Sequence, residues 1–156
     1  MKIDVIIPTY RPGIELFSLL DRLEKQSTPV RNIVLMNTEK KYFDRLTEKM
    51  KFAERYPNVQ VHHLPRGEFD HGGTRHRGAE LSDADIFVTM TQDAMPVDAA
   101  LVENLVSNLR GRVAVSYARQ LPGEDSSTFE KVSRYFNYPD SSRIKTAADM
   151  DVLGIK

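Results

Sequence analysis

The sequence predicts an α/β fold, a mostly parallel sheet with helices on both faces. Two observations carry that expectation. Short β-branched runs alternate with amphipathic helical stretches as far as Tyr117. The segments between the runs are long enough for the crossovers that parallel neighbours require.

Asp4-Val5-Ile6-Ile7, closed by Pro8, is a continuous apolar run and the first strand, buried on both faces. After Pro12-Gly13, Leu16, Leu19, Leu20 and Leu23 recur at helical spacing as far as Gln26. Thr28-Pro29 breaks that helix. Asn32 to Met36 is the second strand. Lys40 to Arg55 carries a stripe of Phe43, Leu46, Met50 and Ala53, read as a helix ended by Tyr56-Pro57-Asn58. Val59 to His62 alternates as the third strand. A polar loop from Pro65 to Gly73 then leads into a short helix through Ala79 and Leu81. Ile86 to Met90 is the fourth strand, and Asp98 caps a helix with Leu101, Leu105 and Leu109 on one face. Val113 to Tyr117 is expected to form a fifth strand. Beyond Arg119 the pattern weakens. Glu124 to Ser127 reads as a turn, Thr128 to Phe136 as a helix, and Tyr138 to Lys156 as a polar tail. With no repeat or low-complexity linker, residues 1–156 read as one domain, patterned most clearly over 1–120.

Composition narrows the function. The chain has no cysteine, which excludes a disulfide framework and a thiolate metal site. Basic and acidic residues balance at 22 each, so no global field favours nucleic acid or an anionic membrane. No segment approaches the roughly 20 apolar residues of a membrane span, and the first apolar run is too short for a signal peptide. A cytoplasmic protein is the expectation.

In an open parallel sheet, ligands bind beyond the carboxyl ends of the strands. Those ends carry Pro8-Thr9-Tyr10, Asn37-Thr38-Glu39, the loop from Glu68 to Arg75, and Gln92-Asp93. Gly72 and Gly73 let backbone approach a ligand, and the helix that follows offers free N–H groups to an anion. Arg75 can add a charge-assisted contact to a phosphate. Equally, the two glycines suit a tight turn flanked by solvated arginines. Asp93, at the end of a buried strand, is placed to hold magnesium or manganese shared with substrate phosphates; as a lone carboxylate it can also cap its own turn. The four histidines, 62, 63, 71 and 76, lack zinc-pair spacing, since 62 and 63 face opposite ways on a strand and 71 and 76 are five apart. His71 is better suited to hydrogen-bonding substrate or ordering its loop. No P-loop or Gly-x-Gly-x-x-Gly follows the first strand, and no serine sits in a nucleophile elbow.

Three motifs in order carry a resemblance. Val5-Ile6-Ile7-Pro8-Thr9-Tyr10 resembles the opening strand of family 2 glycosyltransferases. His71-Gly72-Gly73-Thr74-Arg75 with Gly78 resembles the His-Gly-Gly-Thr-Arg segment of rhamnosyltransferase-like members. Thr91-Gln92-Asp93-Ala94-x-Pro96 resembles their version of the Asp-x-Asp metal motif, and Arg119-Gln120-x-Pro122 and Tyr138-Pro139 also fit that subgroup.

The resemblance implies a GT-A (Rossmann-like) fold, a dTDP- or UDP-linked sugar donor with rhamnose the expected sugar, and a glycan or lipid-linked acceptor in cell-surface polysaccharide synthesis. It implies an inverting displacement assisted by a divalent cation, Mg or Mn. By position Thr9, Tyr10 and Arg11 would border base and ribose. Asp70, His71, Gly72, Gly73 and Arg75 would border nucleotide and diphosphate, and Asp93 would hold the metal. Pro8, Thr38, Glu39 and Gln92 would also belong to the nucleotide-sugar site. Family members continue past this length into the acceptor half, so the chain reads as a donor-binding part, truncated at the C-terminus, with its catalytic base expected beyond Lys156. Such a part is expected to be inactive alone. Peripheral association with the inner face of the membrane and homo-oligomerisation are compatible with this reading. The competing reading is a non-catalytic nucleotide-sugar-binding or assembly module lacking the acceptor half. Asn37-Thr38-Glu39-Lys40 departs from the Asp-x-Gly-Ser of many relatives, Thr91 stands for the first aspartate of the metal motif, and His76 stands for Asn.

Overall fold

The structure, a computed structural model, describes residues 1–123 and 125–149; the expectations for Glu124 and for 150–156 lie outside the described residues. It divides into two compact units, Met1–Asn104 and Leu105–Lys156. The first unit contains β1 (Ile3–Tyr10), α1 (Glu15–Glu24), β2 (Asn32–Thr38), α2 (Lys40–Thr47), α3 (Phe52–Arg55), β3 (Val59–Leu64), α4 (His71–Glu80) and β4 (Ile86–Thr89). Helix α5 spans Leu101–Ser107. In the second unit, α6 (Thr128–Asn137) starts at Ser127, whose hydroxyl accepts from the Glu130 N–H at 3.2 Å.

All pairings in the sheet are parallel, in the order β3-β2-β1-β4. Two-residue alternation divides its core between two faces. Val5, Ile7, Ile33 and Leu35 pack with Leu16, Leu19, Leu20 and Leu23 of α1 and with Phe43, Phe52 and Tyr56 from α2, α3 and the turn after them. Each of the four leucines is at most 1% exposed, and burying such a side chain is worth about 1.5–3 kcal/mol. Ile6, Val34, Met36 and Leu64 face the other way, with Phe69 and Ala79 packed on them. There α4 lies close to the sheet because Gly78 has no side chain: a Cβ at that position would stand 2.6 Å from Ile6 Cγ2 and 3.1 Å from Met36 Cγ.

Four sequence expectations change. β1 does not stop at Pro8 but runs to Tyr10. The Ile6 carbonyl accepts from Met90 and the Tyr10 N–H also points to the β4 side, so by alternation the Pro8 nitrogen faces that side too. Pairing with β4 ends at Ile6, so proline's missing donor costs the ladder nothing. The Lys40–Arg55 helix is two helices, α2 and α3, because Lys51 leaves the helical region (φ −86°, ψ 74°). The break lets both Phe43 and Phe52 reach the core, edge to face with centroids 5.1 Å apart. Gly72 and Gly73 are not loop residues; they form the first turn of α4, which begins at His71 because Asp70 caps it. Val113–Tyr117 forms no strand: among the described residues the sheet has four, and Val115 is 77% exposed with no ladder to hold it.

Candidate active site

The strand order sets where a ligand can enter. From β1 the chain turns to β2 and β3 on one side, whereas β4 lies on the other, so a crevice opens between the carboxyl ends of β1 and β4. Gln92 bridges that crevice. Its Oε1 accepts from the Tyr10 N–H at 2.9 Å and its Nε2 donates to the Tyr10 carbonyl at 3.1 Å. The side-chain amide thereby imitates one more rung of the β1–β4 ladder. Beside it lies an open cleft of about 380 Å3, lined by Pro12, Gly13, Glu15, Leu16, Gln92, Asp93 and Met95. The Asp93 side chain is exposed.

A cluster of rings and cations stands over the ends of β1 and β2. Tyr10 and Tyr42 meet edge to face, centroids 5.8 Å apart. The Arg11 guanidinium lies over both, 5.1 Å from the Tyr10 centroid and 4.9 Å from that of Tyr42. Arg66 approaches Tyr10 at 5.7 Å and Lys41 approaches Tyr42 at 4.9 Å. Lys41 also pairs with Glu39 at 2.8 Å and holds that carboxyl below its ordinary range. Arg11 (φ 47°) and Glu39 (φ 63°) are the two non-glycine residues with positive φ among the described residues. Such backbone costs of order 1 kcal/mol or more, and it falls here on the residues that follow the two central strands.

Behind this surface the strand ends are joined by a polar relay. Thr9 Oγ1 donates to Asn37 Oδ1 at 3.1 Å, and Asn37 Nδ2 meets His63 Nδ1 at 3.0 Å. The three residues continue, across β1, β2 and β3, the face occupied by Ile7, Leu35 and Val61. Burial lowers the His63 pKa, with Lys40 adding to the effect, which favours the neutral ring whose Nδ1 accepts from Asn37. Asn37 is fully buried. The first residue of Asn37-Thr38-Glu39-Lys40 is therefore engaged inside the fold. Thr38 Oγ1 is buried at the end of β2 and makes no hydrogen bond among the described residues.

The start of α4 is likewise organised internally. Asp70 Oδ1 accepts from the Gly73 N–H at 2.5 Å, and Thr74 Oγ1 accepts from the Asp70 N–H at 3.3 Å, a reciprocal cap. Without a Cβ, Gly73 leaves room for the cap: a Cβ there would sit 3.0 Å from that same carboxylate oxygen. Arg75 Nη1 donates to the His71 carbonyl at 2.6 Å, and the His71 ring packs on Phe69.

Of the residues singled out from sequence, Tyr10, Arg11, Glu39, Gln92 and Asp93 gather at the crevice and the ring cluster beside it. Thr9 is turned inward and Pro8 is half-buried in β1. Asp70, His71, Gly72, Gly73 and Arg75 form a separate group at the head of α4. Sequence reasoning did not single out Tyr42 or Arg66. Both follow strand ends, Tyr42 in the first turn after β2 and Arg66 in the turn after β3, and that position was the available signal. Among the described residues, no three His, Asp or Glu side chains converge as a metal cage.

A parallel sheet with its polar residues gathered past the strand ends defines a Rossmann-like α/β protein. Within that class the chain belongs to glycosyl transferase family 2, whose sequence profile matches residues 4–155. It is 33% identical, over its whole length, to the O-antigen chain rhamnosyltransferase RfbN of Salmonella typhimurium, of which it covers 49%. It is 29% identical to the O-antigen chain rhamnosyltransferase WbaN of Salmonella anatum, over 97% of this chain and 47% of that protein. The chain thus spans about half the length of these curated relatives. Among solved structures, residues 1–349 of S. aureus TarS match with a TM-score of 0.54 at 19% identity, over 70% of this chain and 32% of that one. The same region in complex with UDP-GlcNAc gives 0.53 at 20%, over 70% and 31%. CMP:2-keto-3-deoxy-manno-octonic acid synthetase complexed with CTP gives 0.52 at 10%, over 70% and 47%. At these identities the likeness shows the fold, and the expected GT-A-like α/β architecture is met. Among the described residues no helix is long and apolar enough to cross a membrane.

Proposed function

We propose that this chain binds the donor of a rhamnosyltransferase, a dTDP- or UDP-linked sugar, for transfer to a glycan or lipid-linked acceptor in surface polysaccharide synthesis. The observation that carries the reading is the cleft at the β1–β4 switch point, which places the exposed Asp93 carboxylate beside the Tyr10–Gln92 bridge. Tyr10, Arg11 and Glu39 then border base and ribose, and the α4 head with Arg75 serves the diphosphate. The family relationship supports this assignment, and so do the sequence motifs that fall on these positions.

A single exposed carboxylate suits a divalent cation that completes its shell with substrate phosphates and water, rather than one caged by protein alone. Magnesium or manganese fits Asp93 on that ground, and when bound it offsets charge on the departing diphosphate. Asp93 would hold that ion, while Tyr10, braced by Gln92, borders the nucleoside side of the cleft. In an inverting transfer the acceptor hydroxyl oxygen bonds to the anomeric carbon as the bond to the diphosphate oxygen breaks. The hydroxyl proton passes to a carboxylate base. Association with the membrane's inner face and self-association belong to this same proposal.

Calorimetry of UDP and dTDP binding, with and without manganese, tests the role of Asp93. Asp93→Asn should abolish the gain that manganese brings, about tenfold or more in affinity, and leave metal-free binding within about threefold. An unchanged manganese dependence removes Asp93 from the site.

A further inference from the structure

Tyr10 and Tyr42 stand perpendicular, and two perpendicular rings make a corner in which a flat group can stack on one face while meeting the edge of the other. A flat group already occupies it. The Arg11 guanidinium is about equidistant from the two ring centroids, at 5.1 and 4.9 Å, although its side chain is otherwise exposed. The backbone that puts it there is held at φ 47°, so the placement is maintained against a local cost. Arg66 and Lys41 also approach these rings. The corner therefore keeps positive charge on its rim if Arg11 leaves, and Tyr42 rides on α2, a rigid element rather than a loop.

We infer that Tyr10 and Tyr42 are the two walls of the nucleobase slot and that Arg11 is its resident plug, which an incoming base displaces. This rests on the donor-site reading above and adds to it a second wall and a competitor built into the chain. A displaced Arg11 remains on the loop that leads to Pro12 and Gly13, which line the Asp93 cleft. Base entry thus frees a guanidinium beside the part of the site that receives the diphosphate. The plug predicts opposite responses to one substitution. An uncharged nucleoside must evict Arg11 and gains nothing from it, whereas a nucleoside diphosphate recovers a cation once the plug has moved.

The test is binding of uridine and thymidine, alongside UDP and dTDP, to the wild-type chain, Arg11→Ala, Arg11→Gly and Tyr42→Leu, read by NMR titration and calorimetry. Both Arg11 variants should bind the nucleosides about three- to tenfold more tightly, since two exposed cation–π contacts no longer compete. They should bind the diphosphates no more tightly than the wild type does. Tyr42→Leu should weaken nucleoside binding threefold or more. Arg11→Gly relieves the positive φ, so agreement between the two Arg11 variants separates the plug from backbone strain. Weaker or unchanged nucleoside binding in both Arg11 variants would mean that the guanidinium is a contact or a bystander, and overturns the inference while leaving the donor site standing. Wild-type protein that binds neither diphosphate overturns the donor-site reading and the plug with it.

Discussion

Asn37 shows how a single residue can look like a ligand contact and act as a joint. It stands at a strand end where ligands bind in such sheets, yet its amide is spent between Thr9 and His63 inside the sheet. His63 completes that relay only while its Nδ1 is unprotonated, and burial lowers its pKa below the ordinary value of 6.5. The unfolded chain therefore takes up the His63 proton before the folded one does. The stability this group contributes is present above pH 6.5 and is lost as the pH falls toward the lowered value. We expect the urea midpoint to fall between pH 7.5 and 5.5, and to fall less in His63→Gln, which cannot titrate. Equal slopes for the two proteins would show that the relay does not depend on the ring's charge. Gln92 is a related case. Its position in the metal motif suggests a ligand contact, but in this fold both its amide groups are committed to Tyr10. From sequence these side chains were legible as polar residues at strand ends, with Gln92 set in the nucleotide site by the resemblance. Whether such a group faces ligand or neighbour depends on strand register, which one sequence does not contain.

At the scale of elements, the helix-to-sheet fit turns on Gly78. Alanine there gains up to about 1 kcal/mol of helix propensity. Its methyl, however, meets Ile6 Cγ2 at 2.6 Å, and Ile6 is fully buried in the central strand with no room to yield. Overpacking of that kind costs about 1–3 kcal/mol, so it should win. We expect Gly78→Ala to lower stability by about 1–2 kcal/mol in urea unfolding, and a stabilised variant would contradict the close packing of α4. The four strands were legible as short apolar runs, and α1 as a leucine stripe, because burial of one helix face imposes a 3.6-residue period. Three boundaries were not. Pro8 lies inside β1 because β4 pairing stops short of it. The stripe from Phe43 to Ala53 conceals a break at Lys51. Asp70 starts α4 before two glycines that read as loop. In each case a hydrogen bond, or the lack of a pairing partner, decides the boundary, and periodicity does not report it. Val113–Tyr117 had the composition of a strand but pairs with no strand among the described residues.

On the scale of the molecule, the two ends of the sheet are built for different tasks. At the amino end, Asp4 is buried, which opposes its ionisation, but hydrogen bonds from Arg31 and Ser82 outweigh that and keep its pKa low. Asp83 joins the same cluster through Arg31 at 2.7 Å and Lys2 at 2.9 Å, so the charges there are matched in pairs. At the carboxyl end the charges are open: Asp93 faces a cleft, and three cations lie over two tyrosine rings. Hydrogen-exchange mass spectrometry with magnesium and either UDP or dTDP tests that asymmetry. Exchange should slow in residues 9–13, 38–42 and 91–95, at the carboxyl end of the sheet. Protection confined to the Asp4–Arg31–Asp83 end, or none at saturating nucleotide, would contradict it.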